Sequence, residues 1–297
     1  MTDTSMTDIR DVFFESFLKR FELNDNMVFL TVDMGSATLK KLSSEAQKRY
    51  FNVGVSEANA VTVACGLASS GILPVVYGIT PFLVSRARAQ LRHDFSIGGK
   101  KMLLIGSGVG LTYAEDGPSH HSLDDISLIG SLPNFDVATP LEKITAEITL
   151  DQFLDEKRSE SIFVRLDKGP APALSKNCSN ESIARSCLTI RRGDRQSAEV
   201  HVTATPDIFN ELIKTESPND IVFVYSISAS TIEEIQETLA VYSSVVVVDE
   251  SDYRGGLSNI VRASIINSGT KLIDKSLRVD FVQEKHTRKE LRKLYQL

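Results

Sequence analysis

Short apolar runs alternate along this chain with segments whose apolar residues recur at helical spacing, and this alternation restricts the possible folds. In the first half, the predicted strands are 27–32, 73–77, 101–105 and 162–165, and the predicted helices are 9–21, 58–69, 82–93 and 122–132, the last with Ser122 as its predicted N-cap. In the second half, the predicted strands are 199–202, 220–225 and 244–249, and the predicted helices are 207–213, 231–242 and 258–267. Strands separated by helices in this way indicate parallel βα units. The predicted fold class is therefore α/β.

A change in composition divides the chain beyond its middle. Pro170 and Pro172 open a stretch of small and polar residues that runs to Ser186 and predicts a linker. The length of 297 residues is enough for two domains of ordinary size. We predict a first domain at 1–172, a linker at 173–188 and a second domain at 189–297. Each domain is predicted to be a mostly parallel sheet flanked by helices.

The charge and the apolar runs disfavour two classes of partner. A net charge of -6 argues against a nucleic-acid partner. The chain has one basic run, 285–293. Leu291 within the run and Leu294 just after it give this segment an apolar side, and we interpret the basic run as a solvated helix face. No apolar run reaches the ~18 residues that a membrane span needs. The first residues have no signal-peptide pattern, so we expect a cytoplasmic protein without membrane contact.

The three cysteines are too few and too irregularly spaced for a disulfide framework. Cys65 lies within an apolar helical pattern and is expected in the core. Cys178 and Cys187 lack the spacing of a metal or redox motif. We therefore predict no metal ligands on this chain.

Three glycines follow the predicted strand 101–105 and lead into a polar loop. Gly106, Gly108 and Gly110 allow a sharp turn and a close approach of the backbone, but their spacing does not match a dinucleotide-binding fingerprint. The loop then carries a carboxylate and two imidazoles, Asp116, His120 and His121. These groups can orient hydroxyls or move protons. On local evidence, a functional loop and a loop held by its own Asp and His are the two interpretations.

A single carboxylate, Glu57, stands between the extended segment 49–55 and an Ala-rich apolar helix. Such a side chain is expected to be partly buried. The local sequence allows two interpretations, a functional carboxylate and a helix N-terminal Glu that the helix dipole favours.

The segments 50–57 and 114–121 together resemble the transketolase family of thiamine-diphosphate enzymes. The run Glu-Asp-Gly-Pro-Ser-His at 115–120 is close to the family's Glu-Asp-Gly-Pro-Thr-His, while His121 replaces the usual Gln. The resemblance covers nearly the whole chain. It implies a pyrimidine-binding domain followed by the transketolase C-terminal domain, to which Glu250, Gly255 and Gly256 also correspond in part.

The resemblance assigns roles to individual residues. It implies that Glu57 bonds N1′ of the cofactor's aminopyrimidine and so activates the cofactor, and that Phe82 stacks against the same ring. Glu57 and His120 are the implied catalytic residues. The implied cofactor-binding residues are Glu57, Phe82, Asp33 and Ile79, the last replacing an aromatic residue common in the family. The implied substrate-binding residues are Asp116 and His120. The predicted substrate contacts also include His121, which departs from the family's usual residue, and Arg165, whose guanidinium can hold an anion. On local evidence, Asp33 is equally a strand-end residue and Arg165 equally a partner in a structural ion pair.

The family's diphosphate-binding pattern, a Gly-Asp-Gly run followed by an Asn, does not occur in this sequence. The resemblance therefore implies a second subunit that holds thiamine diphosphate through Mg²⁺ or Ca²⁺, with an expected α2β2 assembly. Thr139 stands where single-chain transketolases usually carry a phosphate-binding arginine. Sugars and sugar phosphates both remain possible substrates.

We predict a subunit that takes part in two-carbon ketol transfer from a ketose to an aldose. Two related enzymes are the alternatives of the same class: the β subunit of the decarboxylating component of a 2-oxo acid dehydrogenase, and a deoxyxylulose-phosphate-synthase-like subunit. A non-catalytic scaffold or regulatory subunit is the alternative of another class.

Overall fold

The computed structural model describes residues 8–172, 181–183, 186–192, 198–278 and 285–297. The chain divides into two compact units, Met1–Gly108 with Leu128–Ala171, and Val109–Ser127 with Pro172–Leu297. The loop that carries Asp116, His120 and His121, the histidine loop, lies in the predicted first domain but groups with the second unit. Two short strands, Glu181–Ile183 and Cys187–Ile190, contain residues of the predicted linker 173–188.

The strands of the first unit are all parallel to their neighbours. They are β1 (Met27–Thr31), β2 (Tyr50–Asn52), β3 (Leu73–Ile79), β4 (Leu103–Ser107), β5 (Phe135–Ala138) and β6 (Ser161–Leu166). Their order across the sheet is β5-β6-β4-β3-β1-β2. Strands β4 and β6 are buried along their whole length, which explains their continuous apolar character. Because the strands are parallel, their carboxyl ends meet at one edge, where α/β proteins bind ligands.

The helices before residue 172 are α1 (Ile9–Leu23), α2 (Ser44–Gln47), α3 (Glu57–Ser69), α4 (Thr80–Arg86), α5 (Arg88–Gln90), α6 (Asp125–Gly130) and α7 (Lys143–Leu154). A 3₁₀ turn lies at Leu39–Lys41, and a π-helical segment, Leu91–Ile97, follows α5. The apolar side of α1 supplies four buried phenylalanines to the core. One of them, Phe14, meets Tyr77 of β3 edge to face, with ring centroids 5.0 Å apart. Such pairs add about 0.5–1.5 kcal/mol to the stability that burial provides.

The strands of the second unit are β7 (Glu181–Ile183), β8 (Cys187–Ile190), β9 (Glu199–Thr203), β10 (Asp220–Val224), β11 (Ser226–Ile227), β12 (Ser244–Asp252) and β13 (Lys271–Leu277). Six of them form a sheet in the order β13-β12-β9-β10-β8-β7. The pairs from β13 to β10 are parallel, and β8 is antiparallel to both β10 and β7. The predicted class, α/β with two mostly parallel sheets, is therefore confirmed.

The second unit contains the helices α8 (Pro206–Lys214), α9 (Thr231–Leu239), α10 (Leu257–Ile265) and α11 (Arg288–Leu294), and 3₁₀ turns at Ala114–Asp116 and Pro118–His120. A small apolar cluster fixes the histidine loop within this unit. In it, Leu111, Ala114 and Leu123 of the loop segment pack with Leu291 and Tyr295 at the end of the chain.

Two predicted helices differ from the structure. The helix predicted at 82–93 is broken at Ala87 into α4, α5 and the π-helical segment. The helix predicted at 122–132 begins only at Asp125, so Ser122 does not cap it. Instead, Ser122 and Gly110 form a reciprocal pair of backbone hydrogen bonds. The Ser122 amide donates to the Gly110 carbonyl oxygen at 2.8 Å, and the Gly110 amide donates to the Ser122 carbonyl oxygen at 3.1 Å.

Two further predictions were wrong about burial. The basic run 285–293 is not simply a solvated face, because Arg288 and Arg292 of α11 bind the fully buried carboxylate of Glu250. Cys65 is half-buried rather than part of the core, and Cys178 lies outside the described residues. Sequence patterns also missed β5, α7 and β13, whose runs are short or mixed with polar residues.

Candidate active site

Glu57 begins helix α3, directly beyond the carboxyl end of β2. The turn between them depends on Gly54, which has a φ of +74°, a value that glycine adopts without strain. The Glu57 side chain is 5% exposed. The expected burial of Glu57 is therefore confirmed, and the side chain is more deeply buried than the sequence indicated. A buried carboxylate needs a hydrogen-bonding partner or a counter-charge.

Arg86 supplies that counter-charge and also covers Phe82. Its Nη1 donates to both carboxylate oxygens of Glu57, at 3.1 and 3.2 Å. Its guanidinium carbon lies 4.1 Å from the centroid of the Phe82 ring, a cation–π contact. Arg86 itself is 52% exposed. The flat guanidinium of Arg86 therefore fills the space that lies over the Phe82 ring and beside the Glu57 carboxylate.

The other two predicted cofactor residues also lie at the carboxyl ends of strands in the first unit. Ile79 is the last residue of β3 and is half-buried. Asp33 follows β1, is exposed, and has the left-handed φ of +59°. Its amide donates to Asn52 Oδ1 at 3.0 Å and its carboxylate accepts from Asn52 Nδ2 at 3.1 Å. This pair ties the ends of β1 and β2 together just before Glu57.

The histidine loop belongs to the second unit and takes its shape from two 3₁₀ turns that meet at Gly117. Asp116 is exposed, and His120 is half-buried. The Nδ1 atom of His120 lies 3.1 Å from Ser119 Oγ, and its ring is edge-on to Tyr113 at 6.4 Å between centroids. The loop thus presents a carboxylate and an imidazole on a stiff backbone, groups that can orient hydroxyls.

His121 points inward, unlike His120. It is 6% exposed, and its Nε2 lies 3.4 Å from the carbonyl oxygen of Ala114. Its Nδ1 is buried and has no hydrogen-bonding partner among the described residues. Burial lowers the pKa of His121, although the Ala114 carbonyl and Glu250 act in the opposite direction. The ring is therefore mainly neutral at pH 7.

Arg165, the remaining predicted substrate contact, is fully buried in β6. Its Nη1 donates to Thr139 Oγ1 at 3.2 Å. Thr139 is the residue that stands in place of the usual phosphate-binding arginine, so this position is filled by a buried hydroxyl and not by an exposed cation. The burial of Arg165 favours the structural interpretation of this residue.

Glu250 anchors the base of the histidine loop. It is 0% exposed, and it accepts from the backbone amide of Leu111 at 2.9 Å. It also accepts from Nη2 of Arg288 at 2.7 Å and from Nε of Arg292 at 2.6 Å. Burial alone would raise the pKa of Glu250, but the two guanidinium groups and the Leu111 amide outweigh it and hold the pKa below its ordinary value.

The structure thus brings Glu57 and Phe82 together through Arg86, and it places Asp33 and Ile79 at the same edge of the sheet of the first unit. Asp116, His120 and His121 share one loop of the second unit. Arg86 is the residue that sequence reasoning missed. Its position four residues after Phe82 on a predicted helix was the available signal, because side chains at that spacing are neighbours.

Residues 5–172 match the protein family described as transketolase, pyrimidine binding domain. The match includes more than half of the chain and contains Glu57, Phe82 and the histidine loop. The chain belongs to the transketolase family. The resemblance seen in the sequence is therefore confirmed.

Transketolase-family proteins of known activity resemble the chain over different lengths. The 6-deoxy-6-sulfo-D-fructose transketolase subunit SqwH of Clostridium sp. (strain MSTE9) is 27% identical over 187 residues, which are 63% of this chain and 58% of that protein. The 1-deoxy-D-xylulose-5-phosphate synthase of Azobacteroides pseudotrichonymphae genomovar. CFP2 is 24% identical over 268 residues, which are 88% of this chain and 42% of that protein. The chain thus spans less than two-thirds of both relatives.

A solved structure described as a split gene transketolase, inactive beta4 tetramer, has the same fold. The TM-score is 0.76 at 19% sequence identity, and the match covers 97% of this chain and 93% of that one. At this identity the likeness establishes the fold of the transketolase-family chain and no more. Among the described residues, no helix is long and apolar enough to cross a membrane, and no group of three or more His, Cys, Asp or Glu side chains is arranged to hold a metal ion.

Proposed function

We propose that this chain is the pyrimidine-binding subunit of a split, thiamine-diphosphate-dependent transketolase. The observation that carries the proposal is the contact of one planar cation, Arg86, with both the Phe82 ring and the Glu57 carboxylate. An aminopyrimidine is also flat and carries N–H donors at its edge. A site that holds a guanidinium in this way has the shape and the charge to hold that ring.

The residues present fit the cofactor in two specific respects. The face of Phe82 offers a stacking surface that contributes about 0.5–1.5 kcal/mol beyond burial. The nearly buried Glu57 offers a carboxylate in a position to bond a ring nitrogen and to hold a proton there. The bound cofactor would supply the carbon nucleophile for ketol transfer. Glu57 would act as the acid–base residue that controls the protonation of the pyrimidine, with Ile79 and Asp33 lining the same edge of the sheet.

The histidine loop is the proposed substrate-binding element. The Asp116 carboxylate and the His120 imidazole suit the hydroxyl groups of a ketose, since one accepts hydrogen bonds and the other accepts or donates them. His120 is also the proposed second catalytic residue, in a position to exchange protons with a substrate hydroxyl. His121, buried and uncharged, would support the loop from its buried side. Arg165 is the proposed contact for an anionic group of the substrate. Its burial in β6 favours a structural role instead.

A second subunit is part of the proposal. The sequence contains no Gly-Asp-Gly run followed by an Asn, so the diphosphate and its Mg²⁺ or Ca²⁺ ion would be held by a partner chain. The split-gene relative and the subunit name of SqwH support this arrangement. We propose an α2β2 assembly in the cytoplasm, acting on sugars or sugar phosphates.

A deoxyxylulose-phosphate-synthase-like activity is the second candidate, favoured by the relative that matches 88% of this chain. Both activities would use Glu57 and Phe82 in the same way. They differ in the donor, because transketolases transfer a two-carbon unit from a ketose whereas the synthase-like alternative decarboxylates a 2-oxo acid. Release of CO₂ from pyruvate, without ketol transfer, would favour the second candidate.

The test is to co-express the chain with a candidate partner that contains the Gly-Asp-Gly and Asn pattern. Two-carbon transfer to an aldehyde is then measured with an unphosphorylated and a phosphorylated ketose. We expect Glu57→Gln to lower kcat by about 10²-fold or more. Glu45→Gln is the matched control, because Glu45 is an exposed carboxylate of the same unit, ion-paired with Lys48. Full activity of Glu57→Gln in the pair would support a scaffold role.

A further inference from the structure

A pocket of the first unit combines two arginines with two serines. Its volume is about 410 Å³, and it lies between the π-helical segment Leu91–Ile97 and residues 131–133, which lead toward β5. Its polar lining consists of Arg88, Arg92, Ser96 and Ser131. None of its lining residues, all within the described part of the chain, is acidic.

Arg88 is the residue that makes this pocket unusual. Its Nη2 donates to Ser131 Oγ at 3.0 Å, but its Nη1 is buried and has no hydrogen-bonding partner in the described structure. A buried donor left unpaired costs about 1–3 kcal/mol. Burial lowers the pKa of Arg88, and the charge of Arg92, which lines the same pocket, acts in the same direction.

No carboxylate in the described part of the chain is paired with either of these two charges. Among the described residues, the ion pairs within 4.0 Å include neither Arg88 nor Arg92. Other arginines of the first unit, such as Arg20 and Arg158, do have acidic partners. An anion bound in the pocket would satisfy the free Nη1 donor and relieve the repulsion between the two guanidinium groups.

The walls of the pocket are fixed by hydrogen bonds that do not use the arginines. Ser96 Oγ donates to the carbonyl oxygen of Pro133 at 2.6 Å, and Asn134 Nδ2 donates to the carbonyl oxygen of Ser96 at 3.2 Å. Ser131 Oγ donates to the carbonyl oxygen of Leu128 at 3.0 Å. The hydroxyl that receives Arg88 is therefore held in place, and the pocket is formed before a ligand arrives.

The pocket lies near the amino ends of β4 and β5, whereas Glu57 and Phe82 follow the carboxyl ends of β2 and β3. We propose that it is a binding site for a phosphate-type oxyanion, which Arg88 grips with its guanidinium fork, Ser131 helps to orient and Arg92 covers from the exposed side. Inorganic phosphate and the phosphoryl group of a sugar phosphate share this chemistry. The volume falls within the range of small-ligand pockets and leaves room for a short carbon chain.

The test is calorimetric titration of the full chain with inorganic phosphate and, separately, with ribose 5-phosphate. An ionic strength of about 0.05 M keeps screening from hiding a charge-dependent site. The variants are Arg88→Gln, Arg92→Gln and Arg88→Lys, with circular dichroism to verify folding. Lys48→Gln is the matched control, because it removes one exposed positive charge of the same unit away from the pocket.

We expect saturable binding by the wild type and by Lys48→Gln, with Kd raised at least tenfold in Arg88→Gln and in Arg92→Gln. Arg88→Lys should bind more weakly than the wild type, since an ammonium group cannot form the two-pronged contact. Tighter binding of ribose 5-phosphate identifies a sugar phosphate as the ligand, and equal binding identifies phosphate alone. Absence of saturable binding, or equal binding by all folded variants, would overturn the proposal. The outcome does not depend on the role of Glu57.

Discussion

Arg86 donates to both oxygens of the Glu57 carboxylate, at 3.1 and 3.2 Å, while it lies over the ring of Phe82. The two residues proposed to bind the cofactor's pyrimidine are thus already engaged by a side chain of the same unit. For a pyrimidine to stack on this face of Phe82 and bond Glu57, the guanidinium has to move away from both. Since Arg86 is half exposed, it can do so without disturbing the core.

We therefore expect Arg86→Ala to strengthen cofactor binding by the assembled enzyme. Because Arg86 is half exposed, the lost ion pair and the lost cation–π contact are each worth about 0.5–1 kcal/mol, which corresponds to a total gain in affinity of roughly five- to thirtyfold. Titration of thiamine diphosphate into the pair of subunits measures this change. Lys143→Ala, which removes another exposed helical cation, should leave Kd unchanged. Weaker binding by Arg86→Ala would show that Arg86 holds the cofactor rather than competing with it.

The buried Glu250 should be a major source of stability in the second unit. Glu250→Gln removes the buried one of the two carboxylates that Arg288 and Arg292 share, and leaves Asp207 as the other. It is expected to lower the free energy of unfolding by about 3 kcal/mol at pH 7, the low end of the range for a broken buried ion pair. Glu211→Gln is the matched control, because Glu211 pairs with the same Arg292 but is 59% exposed, and its loss should cost less than about 1 kcal/mol. Urea unfolding measures both values. Equal losses in the two variants would contradict the account.

The same carboxylate makes stability depend on pH. The pKa of Glu250 in the folded chain lies below its ordinary value of 4.5, so its contribution is fully present above pH 4.5 and is lost as the pH falls through the folded pKa. The difference in unfolding free energy between the wild type and Glu250→Gln should therefore be largest near neutral pH and shrink in acid. Urea unfolding at a series of pH values tests this. A difference that grows in acid would have the wrong sign.

Gly110 should tolerate no side chain. It has a φ of +56°, and a Cβ at this position would overlap the Glu250 side chain. Gly117 has a φ of +87° and a ψ of 177°, a region that is essentially restricted to glycine, but no atom lies within 4 Å of such a Cβ, so Gly117→Ala carries only backbone strain, about 1–3 kcal/mol. Thermal unfolding should show a larger loss for Gly110→Ala than for Gly117→Ala. Equal losses would mean that the contact with Glu250 adjusts freely.

Cys187 should be unreactive in the folded chain. Burial raises the pKa of this thiol to about 12, so almost none of it is thiolate at neutral pH. Cys65 is only half-buried and should react first. Labelling with a thiol reagent under native conditions, followed by peptide mass spectrometry, distinguishes the two. Rapid modification of Cys187 before unfolding would contradict this placement.

The sequence predicted the alternating α/β architecture and the burial of Glu57, because both follow from patterns within a few neighbouring residues. It did not predict the break at Ala87, since no proline or glycine marks it. The binding of Arg288 and Arg292 to Glu250 was also missed, because these contacts join residues 38 and 42 positions apart. Ser122 was mistaken for a helix cap, because the bridge with Gly110 that engages its backbone is not visible in local sequence.

The most direct test of the central claim is calorimetric titration of thiamine diphosphate and Mg²⁺ into this chain alone, its candidate partner alone, and the pair. The account predicts tight binding by the pair only, and a large loss of affinity in the pair that contains Glu57→Ala, with Glu45→Ala as the control. Tight binding by this chain alone would contradict the split-site proposal. Equal binding by the pair with and without Glu57 would contradict the role assigned to that carboxylate.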